Sequence, residues 1–183
     1  IVVEGEHVKR YLINEGVSAE RIFVAPIAVD NDAYNREVTE EEKAALRRKL
    51  GIAPDQKVVL YVGRLEEVKG LPHLLEAFAS LSREDAVLLI AGTGSERKRL
   101  EQKAQELNIM SQTHFAGYVP PEETVLFYAM AWVYVLPSIT TAYFKEPWGL
   151  VVNEAFNQGV PVIATDAVGA AAGGLVQDGV NGF

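Results

Sequence analysis

The chain has 183 residues, 49% of them hydrophobic, enough for one domain with a full core plus an extension and too apolar for disorder. A formal net charge of −8 argues against a nucleic-acid binder that relies on a general basic surface. The absence of cysteine excludes disulfides, thiolate chemistry and Cys-based zinc sites, and no apolar run reaches the roughly 18 residues that a membrane span needs.

In chain order, residues 1–56 read differently from the rest. His7 to Gly16 has the pattern of a short helix, and Arg21 to Val29 that of an extended segment. Thr39-Glu40-Glu41-Glu42 is a capping box opening a polar helix that ends near Gly51. This stretch is read as the tail of a preceding domain plus a linker. From Lys57 onward apolar runs alternate with helical patterns. Val58–Val62 is a buried strand, after which Leu71, Leu74, Leu75, Phe78 and Leu81 recur at helical spacing. Ala86–Ile90 is the next strand, and a charged helix follows from about Ser95 to Asn108. His114–Gly117 is a weaker strand, and Pro120-Pro121-Glu122-Glu123 opens another helix. Val133–Leu136 and Val160–Ala164 are strands flanking one more helix, which Gly159 ends. Apolar strands separated by helices predict an α/β fold: a Rossmann-like parallel sheet covered on both faces, binding its ligand at the carboxyl ends of the strands. The domain reading is 1–56 for the tail and linker, and 57–183 for the Rossmann-like domain. The chain starts at Ile1 and stops in mid-pattern at Phe183, which reads as a piece of a longer protein.

Two carboxylates stand out. Glu146 and Glu154 bracket Pro147-Trp148-Gly149-Leu150-Val151-Val152-Asn153. The Pro and Gly predict a loop feeding a helix near Gly149, with Glu146 in the loop and Glu154 just over a turn inside the helix. Between them point the free amides of the first turn, an anion site reinforced by the helix dipole. Carboxylates repel phosphate but accept hydrogen bonds from hydroxyls. The pattern suggests a ligand with a diphosphate in its middle and a polyol at each end. The simpler reading is two surface acids with one favouring a helix start; the Pro-Trp-Gly between them and the strand on either side weigh against it.

Gly63-Arg64-Leu65 follows the first strand of the main sheet and Lys69-Gly70 opens the next helix, so both cations sit at the carboxyl edge. Arg64 offers a planar fork for phosphate oxygens and Lys69 a point charge; otherwise they are solvated loop charges. Gly92-Thr93-Gly94 begins like a dinucleotide fingerprint, but Arg97 stands in place of the third glycine, so it is read as a tight strand-to-helix turn, with bordering the nucleotide as the lesser alternative. Asp30-Asn31-Asp32 is an acid–x–acid triplet that could suggest a metal-bound diphosphate, yet it lies in the linker. His7, His73 and His114 lie far apart and are read as satisfied structural histidines. Trp148 and Tyr128 are read as core.

Together Gly63-Arg64-Leu65, Lys69-Gly70, Pro137-Ser138, Glu146-Pro147-Trp148-Gly149-Leu150, Glu154-Ala155 and Gly159 to Asp166 resemble the carboxy-terminal half of the family 4 glycosyltransferases. The resemblance runs from about Arg21 to Phe183, and the acid pair with seven residues between is its signature. It implies one half of a GT-B fold, a retaining transfer of a sugar from a nucleotide-diphosphate sugar, and no metal or other cofactor. In that family pattern Arg64 and Lys69 neutralise the donor diphosphate together with the amides at Gly149, Leu150 and Val151. Glu146 holds a hydroxyl of the transferred sugar and Glu154 the ribose diol. The base lies near Gly117, Tyr118 and Val119, and Gly63 counts among the donor-binding residues. The acceptor, a sugar, lipid or small molecule, is expected on a domain absent from this chain. The parent is expected in the cytoplasm or in peripheral contact with the inner membrane surface.

Two departures stand out. The linker reads Pro26-Ile27-Ala28-Val29-Asp30 where relatives have Pro-Asn-Gly-Val-Asp. Gly169-Ala170-Ala171-Ala172-Gly173-Gly174 lacks the acid expected there. Rival readings are a non-hydrolysing sugar-nucleotide epimerase, a dinucleotide-dependent oxidoreductase and a non-catalytic nucleotide-sugar sensor.

Overall fold

The computed structural model describes residues 1–183. Its first part holds β1 (Val2–Val3), α1 (Glu6–Asn14), β2 (Phe23–Val24), α2 (Asn31–Tyr34) and α3 (Glu40–Leu50). The main part follows as β3 (Lys57–Val62), α4 (Leu71–Leu81), β4 (Ala86–Ala91), α5 (Arg97–Glu106), β5 (Thr113–Gly117) and α6 (Pro121–Ala129). It continues with β6 (Val133–Leu136), α7 (Val151–Asn157), β7 (Val162–Ala164) and α8 (Gly169–Ala172).

Five strands form one parallel sheet in the order β5-β4-β3-β6-β7, while β1 and β2 pair in parallel by themselves. Every residue of β4 is buried, as a strand covered on both faces requires. β5 is an edge strand and only half-buried beyond Thr113, which explains its weak apolar signal. The chain steps outward from β3 through β4 to β5, then crosses back to β6 and out to β7. Right-handed crossovers therefore place the helices of the two halves on opposite faces. α4 packs on α5, while α2, α3, α6 and α7 pack among themselves. The strand order reverses between β3 and β6, the switch point where such sheets open a crevice at their carboxyl ends.

The helices follow from their patterns. Thr39 and Glu42 form the predicted reciprocal capping box, and Gly51 ends α3 in the left-handed conformation. Leu71, Leu74, Leu75 and Phe78 of α4 are buried. Leu81, expected on the same face, is exposed: it is the last residue of α4, and the chain turns away at Ser82. Leu46 of α3 and Ile52 join the core cluster around the sheet. No helix is long and apolar enough to cross a membrane.

Candidate functional site

The loops after β3, β4 and β5 are knitted together at the carboxyl edge. Leu65 N–H donates to Thr93 O at 2.8 Å and Gly92 N–H to Gly117 O at 2.7 Å. Gly92 has φ of 140°, and a Cβ there would lie 1.8 Å from Gly63 O, so only glycine lets the two loops meet. Above this floor opens a cleft of about 270 Å³ lined by Val62, Gly63, Arg64, Ala91, Gly92, Thr93, Tyr118 and Val119. Four sequence-predicted residues thus share one cleft: Gly63, Arg64, Tyr118 and Val119. The Gly92-Thr93 turn borders it as well. The Arg64 side chain is 69% exposed and rests against Glu66 at 2.8 Å, so it can turn to a ligand at little cost. Its carbonyl is held by the buried Tyr61 hydroxyl at 2.7 Å.

The loop after β6 meets the β3–α4 connection across the switch point, where Ile139 N–H donates to Val68 O at 2.9 Å. Here Lys69 and Glu146 form an ion pair, their side chains 13% and 12% exposed. Ser138 Oγ donates to the same Glu146 oxygen at 3.0 Å. Lys69, expected at the donor diphosphate, is held by Glu146 in the chain alone, a contact the sequence did not foretell. The pairing has a clear cause: an acid and a cation this far from water each need a partner.

The Glu146 loop then enters α7. Gly169 N–H donates to Glu146 O at 3.0 Å and Ala170 N–H to Trp148 O at 2.7 Å, which pins the loop to α8. Trp148 is buried, and its Nε1 donates to Asn153 Oδ1 at 2.8 Å. Gly149 has φ of 89°, and a Cβ there would come within 2.9 Å of Leu136 and Val168. The N–H groups of Gly149, Leu150 and Val151 make no hydrogen bond within the chain, whereas Val152 N–H already bonds back to Gly149 O. Three consecutive amides are thus left for an acceptor, as the sequence predicts.

Glu154 is 9% exposed. Its Oε2 accepts from Tyr128 OH at 2.7 Å. Burial pushes its carboxyl above the ordinary range, and the Tyr128 and Tyr34 hydroxyls oppose that rise. Burial also raises Tyr128 and Tyr134, so both stay protonated as donors. The buried Tyr134 hydroxyl reaches Val62 O at 3.2 Å, and both Glu146 and Glu154 raise its titration. Tyr134 thus feels the charge of both acids, one from α7 and one from the loop after β6.

Sequence reasoning missed four residues that organise this site: Tyr34, Tyr61, Ser138 as a donor to Glu146, and Tyr128. The last reads as plain core because a tyrosine in an apolar run gives no other sign, although a buried hydroxyl needs a partner. One expectation is corrected. His7 is not satisfied: both ring nitrogens are buried without a hydrogen-bond partner, under the Pro147 and Gly169 backbone. Burial, Lys145 and Arg10 lower its titration, in keeping with a neutral ring. Asp30 accepts from Ala33 N–H at 3.2 Å as the cap of α2, a structural role for the acid–x–acid triplet.

A parallel α/β sheet with this strand order carries three unpartnered amides and two buried acids on the loops at its carboxyl edge. The model of the family described as "Glycosyl transferases group 1" matches residues 42–183, and the chain belongs to that family. It is 38% identical to a D-inositol 3-phosphate glycosyltransferase of Geodermatophilus obscurus, over 91% of this chain and 37% of that one. It is 36% identical to an uncharacterised glycosyltransferase of Methanocaldococcus jannaschii, over 78% of this chain and 35% of that one. Among solved structures it is similar to HepE of Anabaena bound to UDP. That likeness has a TM-score of 0.86 and 27% identity, and it covers 100% of this chain and 48% of that one. HepE has also been solved with UDP-glucose. The chain thus spans between a third and a half of the length of these relatives. The fold is that of one half of a GT-B glycosyltransferase.

Proposed function

We propose that the chain is the donor-binding half of a glycosyltransferase, which moves a sugar from a nucleotide-diphosphate sugar to an acceptor with retention of configuration. The observation that carries this is the run of three unpartnered amides at Gly149, Leu150 and Val151, on the same carboxyl edge of the sheet as the Lys69–Glu146 pair and the Arg64 cleft. The relatives named as glycosyltransferases and the UDP complexes of HepE support the class of reaction and of donor.

In this reading the base lies along Tyr118 and Val119, the ribose diol meets Glu154, and the diphosphate faces the amides, Arg64 and Lys69. Glu146 accepts from a hydroxyl of the transferred sugar and keeps Lys69 at the diphosphate. In the reaction the bond between the anomeric carbon and the diphosphate oxygen breaks, and its electron pair stays on the diphosphate. The acceptor oxygen bonds to the anomeric carbon, and its proton passes to the departing diphosphate, which has gained the electron pair. The developing charge meets donors already in place, so they favour the transition state over the ground state. Arg64, Lys69 and the helix entry supply positive potential, so the reading requires no metal. The exposed pair Val2 and Phe23 on the two-stranded β1–β2 sheet fits a continuation into a second domain that carries the acceptor.

The test is a kinetic series in the full-length enzyme. Arg64→Ala and Lys69→Ala should lower kcat by about a hundredfold to a thousandfold. Glu154→Ala should chiefly raise the donor KM, because its ribose partner does not change charge. Glu146→Ala should change both. Arg64→Ala and Lys69→Ala variants that are folded and keep the parent kcat would refute the leaving-group role.

A further inference from the structure

We infer that Tyr128 is a positioning residue that aims Glu154 and holds it as a carboxylate for the donor. The inference rests on the reading of Glu154 as a ribose ligand and adds the group through which the protein controls it. Tyr128 comes from α6, in the face packed against α7, and is fully buried. Its hydroxyl donates to Glu154 Oε2 at 2.7 Å. A buried carboxylate without such a donor would protonate or swing away, because burial alone disfavours its charge.

The surroundings leave that task to tyrosine hydroxyls. The elements packed on α7 are α2, α6, β6 and β7. From α2 Tyr34 faces Glu154, from α6 Tyr128, and from β6 Tyr134; β7 is Val162-Ile163-Ala164 and brings no titratable group. No cation is among the groups that shift Glu154. Tyr134 is committed to Val62 O at 3.2 Å, and Tyr34 OH meets Thr124 Oγ1 at 3.5 Å. Tyr34 also acts on the acid, but the Tyr128 hydroxyl makes the larger contribution and the short contact of 2.7 Å. Its ring is fixed on both sides, 6.4 Å from Tyr34 and 5.6 Å from Tyr134 in edge-to-face geometry. The hydroxyl is therefore presented to the acid from a ring packed in the core.

The experiment uses the chain with UDP as probe. Wild type, Tyr128→Phe, Glu154→Gln and the double variant are titrated by calorimetry from about pH 5 to about pH 8, with circular dichroism on each. Tyr128→Phe should bind UDP about tenfold more weakly. The loss of affinity on acidification should begin at higher pH than in wild type, because removing the donor raises the Glu154 titration further. Glu154→Gln should lack that acid limb. Adding Tyr128→Phe to Glu154→Gln should cause no further loss. A carboxyl-carbon NMR titration of Glu154 should move upward in Tyr128→Phe, and this readout needs no UDP. An unchanged Glu154 titration, or an equal loss from Tyr128→Phe in both backgrounds, overturns the positioning role while leaving the donor site intact. A wild-type chain that binds no UDP overturns the donor reading, and this inference with it.

Discussion

Glu154 carries the clearest conflict between stability and function at the scale of single residues. Its carboxyl is buried and pushed above the ordinary range. A carboxyl whose titration rises on folding binds more protons folded than unfolded between the two values. The fold therefore loses stability as pH rises through that window, and the loss persists above it. Glu154→Gln removes the charge and keeps the shape. The variant should melt above wild type at neutral pH, and the gap should close as the solution is taken down towards the usual carboxylate range of about 4.3. Thermal melts at a series of pH values check this. A gap that is flat with pH would mean that Glu154 is not strained by burial. The acid pair was legible because Pro147 and Gly149 punctuate an otherwise apolar run. Its partners were not, because nothing in a single sequence says that Tyr128 and Ser138 turn their hydroxyls to those two acids.

The elements legible in advance have strong local causes. β3 and β4 are unbroken apolar runs, α4 has a clean helical stripe, and α3 has a capping box with a closing glycine. β1 and β2 are two residues long, too short for a periodicity to show, and exist through pairing across some twenty residues of chain. The two anchors of the α3 region, Leu46 and Ile52, lie in a segment whose composition is dominated by charge, which masks its packing against the sheet. Their burial has a consequence that can be measured. Thr39→Ala removes the cap that accepts from Glu42 N–H at 3.2 Å, and should cost about 1 kcal/mol. In a chain of this size that lowers the melting temperature by about 2–4 °C. UDP affinity should not change, since α3 touches no part of the cleft. An unshifted melting temperature would show that α3 unfolds apart from the sheet, as a linker helix does.

Across the whole molecule, sheet order decides where the chemistry falls. The reversal between β3 and β6 brings Arg64, Lys69, Glu146 and the α7 entry to one edge, although up to some ninety residues separate them in sequence. That placement was legible from the alternation of strands and helices, while the ion pair between Lys69 and Glu146 was not, because charge pairing depends on distances that only the folded chain sets. The central claim is that this edge binds a nucleoside diphosphate through protein groups alone. Calorimetric titration of the chain with UDP, GDP, ADP and dTDP in the presence of EDTA tests it most directly. The account predicts saturable one-site binding of at least one of the four, unchanged when Mg²⁺ replaces EDTA, and weakened by Arg64→Ala and by Glu154→Ala. Binding of none of them, or binding that appears only with a divalent cation, would contradict it.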